Sequence, residues 1–279
     1  MSRTTGFPKA DAENDFLRAR RKQVRAALAA WLRREPDDVN VMLPFDEVVE
    51  ALGRKGERRL GLRVIRLESI VGSVDRTRDF DRWFRPTSSR VRARWERLAA
   101  AHRRGEPIPP IEVYRVGELH FVSDGHHRVS VACALGLKEI EAYVTEVETV
   151  LDADGIRYRG DLIVKDYHRI FAERVPLIPE ARADMKLSDP AQYAELGEAV
   201  EAWGFRLMQD EGQFLDRETV ANRWYAEEYL PAVRLLRDAD LIGDMTDTEA
   251  YLAMASKRYR LMRTHRWDDE VIETLLTKD

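Results

Sequence analysis

A single cysteine, Cys133, stands among 279 residues. One thiol cannot form an internal disulfide or build a thiolate metal cluster, and this scarcity suits a reducing compartment. Long apolar runs are also missing: none approaches the roughly 18 residues that a membrane span requires. The first residues, Met1 to Gly6, lack the apolar core of a signal peptide, so a cytoplasmic protein with no membrane partner is expected. Internal repeats and low-complexity tracts are absent as well. What remains is a globular composition, 44% hydrophobic and 34% charged, with mean hydropathy −0.48.

Charge is unevenly spread. Residues 1–110 carry 25 Lys and Arg against 16 Asp and Glu, whereas residues 111–279 carry 21 against 34. A basic front half suits a polyanionic partner such as a nucleotide or DNA, and an acidic rear half repels one. The same charges also suit a surface that only keeps the protein dissolved.

Periodicity predicts the elements. Leu17, Val24, Leu28 and Trp31 recur at helical spacing between Asp11 and Arg34, and Pro36 ends that helix. A short helix follows Pro44, with Phe45, Val48, Val49 and Leu52 on its apolar side and Gly53 at its close. Residues 53–59 combine glycine with four cations and read as an exposed loop. A strand begins near Leu62 and turns at Gly72 and Ser73. Ser88 to His102 form a helix with Val91, Trp95 and Leu98 buried and Arg90, Arg94 and Arg97 together on an adjacent face. Strands at Ile111–Val116 and Leu119–Val122 precede an apolar helix that closes at Gly136, and Ile140, Ala142 and Val144 mark a further strand.

This order within about 90 residues predicts one compact α/β (α+β) domain with a mixed sheet. The expected organisation is an N-terminal helical segment (1–58), the α/β domain (59–148) and a mainly helical C-terminal region (149–279). In the last, Thr246 and Glu249 have capping-box spacing, Pro231 should kink or split a helix over residues 225–236, and Trp203, Trp224, Tyr225 and Tyr229 read as packing residues.

The turn Asp124, Gly125, His126, His127, Arg128 lies where a strand gives way to a helix. Helix N-terminal amides point toward an incoming anion, glycine allows close backbone approach, and arginine adds a fork of donors matched to phosphate. Either histidine can donate a further hydrogen bond. Asp124 would cap the helix, bind Mg2+ or orient a histidine. The same residues also suit ordinary capping and surface roles. Adjacent histidines cannot easily face one zinc ion. Cys133, on the apolar helix, reads as a small buried hydrophobe.

The tracts LRVIRLESIVGSVDRTRDFD, PPIEVYRVGELHFVSDGHHRVSVACALG and EAYVTEV resemble the N-terminal domain of ParB-type proteins, a fold shared with sulfiredoxin and free-serine kinases. The resemblance covers residues 60 to 148. It implies a bacterial nucleotide-binding protein in which Gly125, His126, His127 and Arg128 contact the phosphates of CTP or ATP. Arg76 and Arg78 would lie near the same nucleotide, and Asp124 would be a Mg2+ or substrate contact. ParB proteins carry Gly-Glu-Arg-Arg at this turn, and free-serine kinases carry the DGHHR form found here. Sulfiredoxin's cysteine is replaced by His126, which excludes reductase chemistry. The kinases place a catalytic glutamate after the first strand, where Asp75 is the nearest carboxylate here. The helix-turn-helix that follows the domain in ParB proteins is not evident after residue 148.

The leading expectation is therefore a DNA-associated regulator of transcription or chromosome partitioning, with a homodimer and DNA among its expected partners, switched by CTP or ATP, with Arg90, Arg94 and Arg97 on duplex phosphates. The alternative is a Mg2+-dependent phosphotransferase acting on a small hydroxyl substrate, with Asp75 as catalytic base. A nuclease ranks third, since Asp75, Asp79 and Asp81 are the only nearby carboxylates.

Overall fold

A computed structural model describes residues 5–34, 39–75 and 78–277. The chain forms two compact units, 1–162 and 163–279. These divide at a single point, whereas the sequence suggests boundaries at 58 and 148.

The first unit runs α1 (Pro8–Leu32), β1 (Leu43–Pro44), α2 (Phe45–Leu52), β2 (Arg54–Arg66), β3 (Ile70–Ser73), α3 (Arg92–Arg103), β4 (Ile111–Val116), β5 (Leu119–Asp124), α4 (His126–Leu135) and β6 (Glu139–Thr149). Its six strands make one mixed sheet in the order β1-β3-β5-β4-β6-β2. β1, β3 and β5 are parallel neighbours, β4 runs antiparallel to β5 and parallel to β6, and β2 closes the far edge antiparallel to β6. The mixed α/β class expected from the element order is what the chain adopts.

Alternation along the strands sorts the two faces. Val113 and Val122 join a buried cluster with Phe16 of α1, Trp95 of α3 and Val129 of α4. Tyr114 and Phe121, one residue along, meet Phe45 of α2, with ring centroids 4.6 and 5.6 Å away. Trp95 also donates its indole N–H to Ser130 Oγ at 2.8 Å, which ties α3 to α4 without leaving a buried donor unmet.

Three expectations need correction. In α1 the buried apolar positions are Ala12, Phe16, Ala19 and Ala30, while Leu17, Val24, Leu28 and Trp31 are exposed, because small residues allow the helix to lie close against its neighbours. Residues 54–59 are not a loop but the first half of β2. That strand is charged because it is an edge, and its arginines meet glutamates across the ladder, as Arg58 meets Glu146 at 2.6 Å. Gly72 and Ser73 belong to β3 rather than a turn: a Cβ at Gly72 would stand 2.2 Å from the Leu43 carbonyl oxygen, so glycine permits the β1–β3 pairing. Pro36 lies outside the described residues.

The second unit is helical among its described residues: all but the first two residues of α5 (Asp161–Arg174), then α6 (Pro179–Asp184), α7 (Ala191–Glu211), α8 (Arg217–Trp224), a π-helical turn over Tyr225–Tyr229, α9 (Leu230–Asp238), α10 (Asp247–Met262) and α11 (Asp269–Thr277). The π turn is the break foreseen at Pro231, whose ring displaces the carbonyl four residues earlier and offers it no N–H. Both arms of the Thr246–Glu249 capping box form. Trp224 and Tyr229 are core residues of this unit. No helix among the described residues is long and apolar enough to cross a membrane.

Candidate functional site

β5 ends at Asp124, and α4 begins at His126 with Gly125 between them at φ +105°. Only glycine holds this conformation without strain, and a Cβ here would lie 2.5 Å from Ile111 Cγ2, whose residue is fully buried. Gly125, at the N-cap, has no side chain with which to cap the helix, whose first internal hydrogen bond is from the Val129 N–H to the Gly125 carbonyl at 3.0 Å. The amides of the opening turn therefore point outward along the axis, as at any helix start.

The two histidines are embedded. His126 is 4% exposed, with Nε2 2.6 Å from Ser73 Oγ at the end of β3. His127 is 6% exposed and meets Phe80 edge-on at 5.4 Å, while Phe84 lies 6.5 Å from the His126 ring. These imidazoles anchor the turn to β3 and to the segment 80–84. Arg128, 17% exposed at its side chain, donates one Nη to the Asp124 carboxylate and the other to the Pro110 carbonyl. Its guanidinium is thereby held beside the helix start, in a clasp that Asp124, 62% exposed, closes from the solvent side.

A cavity of about 370 Å³ opens in front of this turn. Residues Ser123 to Arg128 form one wall, and Asp75, Arg94 and Pro109 contribute from elsewhere. Its size falls within the usual range of small-ligand pockets. Arg94 of α3 and exposed Asp75, after β3, are thus brought to the turn from 30 and 49 residues away in sequence relative to Asp124. Arg97 is exposed on the same helix and Arg90 in the 3-10 turn Ser89–Val91 that precedes it, but neither lines the cavity. Arg78 is exposed and its carbonyl accepts from Thr87 Oγ1 at 2.6 Å; Arg76 lies outside the described residues.

The carboxylates do not gather. Asp81 is buried and accepts from the Trp83 and Arg85 amides and from Arg85 Nε, so it braces its own loop. Burial raises its pKa despite those donors. Among the described residues no group of three His, Cys, Asp or Glu side chains could hold a metal ion, and Asp124 is already engaged by Arg128. The donors present do not form a Mg2+ site by themselves. Cys133 is half-buried on α4, and its thiol is pushed up to about 11, first by burial and then by the charge of Asp81; this is a neutral packing group.

Sequence reasoning missed Ser73, Phe80, Phe84 and the Pro110 carbonyl. Ser73 was readable only as a turn residue, and an acceptor on the backbone leaves no trace in side-chain chemistry. No family model matches the chain, and a search of curated proteins finds no match.

Proposed function

We propose that this chain is a nucleotide-binding protein of ParB type, in which a CTP or ATP phosphate tail seats at the start of α4 and binding alters association with DNA or with a second copy. The observation that carries this reading is the cavity that collects Arg94 and Arg128 around a helix N-terminus opened by Gly125. Outward amides supply directed donors, and two guanidiniums supply charge, which together match phosphate oxygens. Exposed Arg97 on α3 and exposed Arg90 in the 3-10 turn Ser89–Val91 just before it, on either side of Arg94, give a duplex something to meet once the nucleotide is seated. Calorimetric titration of CTP, ATP and GTP tests the reading, with Arg128→Ala and Arg94→Ala expected to weaken whichever nucleotide binds. Absence of heat with all three overturns it. Gel shifts across a salt series, with and without nucleotide, test the DNA partner.

A second reading is phosphotransfer to a small hydroxyl substrate. It rests on Asp75, an exposed carboxylate on the rim of the same cavity and placed to accept a hydroxyl proton. Turnover of nucleotide with serine and related alcohols, lost in Asp75→Asn, supports this reading; turnover indifferent to that change rejects it.

A further inference from the structure

The largest cavity among those described lies away from the turn. It measures about 730 Å³ and is framed by α1, by the segment 82–85, by residues 66–71 and by the chain from Ser130 to Glu139. None of its lining residues lines the cavity at the helix start. Its volume would hold a molecule of drug-like size.

Two features of the lining point to a ligand. The first is excess positive charge. Six cations face the space: Arg18, Lys22, Arg66, Arg82, Arg85 and Lys138. The lining carboxylates are Asp15, Glu68 and Glu139. Asp15 is occupied by Arg103, at 2.5 Å, and Glu68 stands 3.4 Å from Arg66. Among the described residues Lys22 and Lys138 have no ion-pair partner. Arg85 spends Nε on Asp81 and Nη1 on the Lys22 carbonyl, yet its buried Nη2 has no hydrogen-bond partner there. A buried unmet donor on a cation costs free energy that an anionic acceptor would recover.

The second feature is an apolar floor with a flat lip. Leu67, Ile70 and Phe84 are buried at the cavity. Trp83, beside them in sequence, leaves 50% of its surface in solvent, with the Arg85 guanidinium 4.6 Å from its ring centroid. An indole backed by a cation on one side presents a stacking surface to a flat ring.

We propose that this cavity is a second binding site, for an organic anion that pairs a flat apolar body with a phosphate or carboxylate group. The body lies against Trp83 and the apolar floor, and the anionic group meets Lys22, Lys138 and Arg85. The site is independent of the turn at α4 and does not require that turn to bind nucleotide.

The test uses the full chain carrying Arg128→Ala, so that the site at the helix start is weakened throughout. Calorimetry compares 2-naphthyl phosphate, 2-naphthoate, neutral 2-naphthol and inorganic phosphate. At least one aromatic anion is expected to bind tenfold or more tightly than both naphthol and inorganic phosphate, and the stronger of the two identifies the preferred anionic group. Adding Lys22→Glu with Lys138→Glu, both at exposed positions, should weaken that binding at least tenfold without lowering the thermal midpoint. Trp83→Ala should weaken the aromatic anion several-fold. The proposal is overturned if neither aromatic anion binds, or if binding survives the double charge reversal.

Discussion

Each unit contains a cluster of buried polar groups, and the two clusters are closed in different ways. In the second unit, Glu228 sits in the π turn. Its Oε1 accepts from Trp267 Nε1 at 3.0 Å and lies 3.5 Å from the Arg258 guanidinium and the Tyr251 hydroxyl. The Trp224 indole donates to the same tyrosine at 3.2 Å. Aromatic rings wall this network in, and Glu228 is the shared acceptor of its members, although among the described residues the buried Arg258 Nε is left without a partner. In the first unit, Ser73 and His126 are buried just as well, but Asp75, Arg94 and the α4 amides beside them border a cavity. A polar cluster enclosed by rings holds structure together, whereas one whose donors border a cavity has capacity left for a ligand.

The sharpest way to break this contrast is Glu228→Ala, which strands the buried Arg258 charge. It should lower unfolding free energy of the second unit by about 3–5 kcal/mol in denaturant titration. Nucleotide titration should be unaffected, and Glu228→Gln, which keeps the acceptor, should cost less. Gly125→Ala comes next. It combines positive φ with a 2.5 Å approach to Ile111 and should destabilise the first unit by about 2–3 kcal/mol. Arg128→Ala should leave the unfolding midpoint nearly unchanged, yet reduce nucleotide affinity at least tenfold, consistent with about 1.5–3 kcal/mol for a charged hydrogen bond. If that substitution instead unfolds the unit while sparing affinity, Arg128 is structural and the contrast fails.

Acid should expose a smaller likeness between the units. Burial holds His120 in the first down to about 4, reinforced by Arg115, and holds His168 in the second down to about 4, reinforced by Lys165 and Arg182. Both rings are neutral when folded, so between pH 6.5 and about 4 the unfolded chain binds more protons and folding weakens as pH falls. Above pH 6.5 neither ring contributes a slope. The loss is at most about 1.4 kcal/mol per pH unit for each histidine. Unfolding midpoints from pH 7 to 5 should flatten in His120→Gln and His168→Gln, each for its own unit.

Local signals made much of the fold legible. Alternation in residues 111–122, the proline boundary before β4, the capping box and the glycine closing α4 each concern neighbours in sequence. The DGHHR turn was legible for the same reason. What escaped depended on distant partners. The apolar positions of α1 named one face, but packing selected Ala12, Phe16 and Ala19 because closeness mattered more than greasiness. β2 hid behind its charges until Glu146 appeared opposite Arg58. Arg94 was legible as part of a basic face, but its arrival beside Arg128 comes from how α3 lies against α4.

If the start of α4 takes the proposed anion, the link between Asp124 and Arg128 makes it a place of exchange. An arriving anion meets a guanidinium that already has a carboxylate, so it must compete for that grip rather than fill a vacancy. What decides occupancy is the difference between two attachments, and that difference grows with the charge of the newcomer. On the proposed reading a triphosphate tail would prevail where a lone carboxylate merely matches the resident, and the internal rival would set a threshold against weakly charged metabolites.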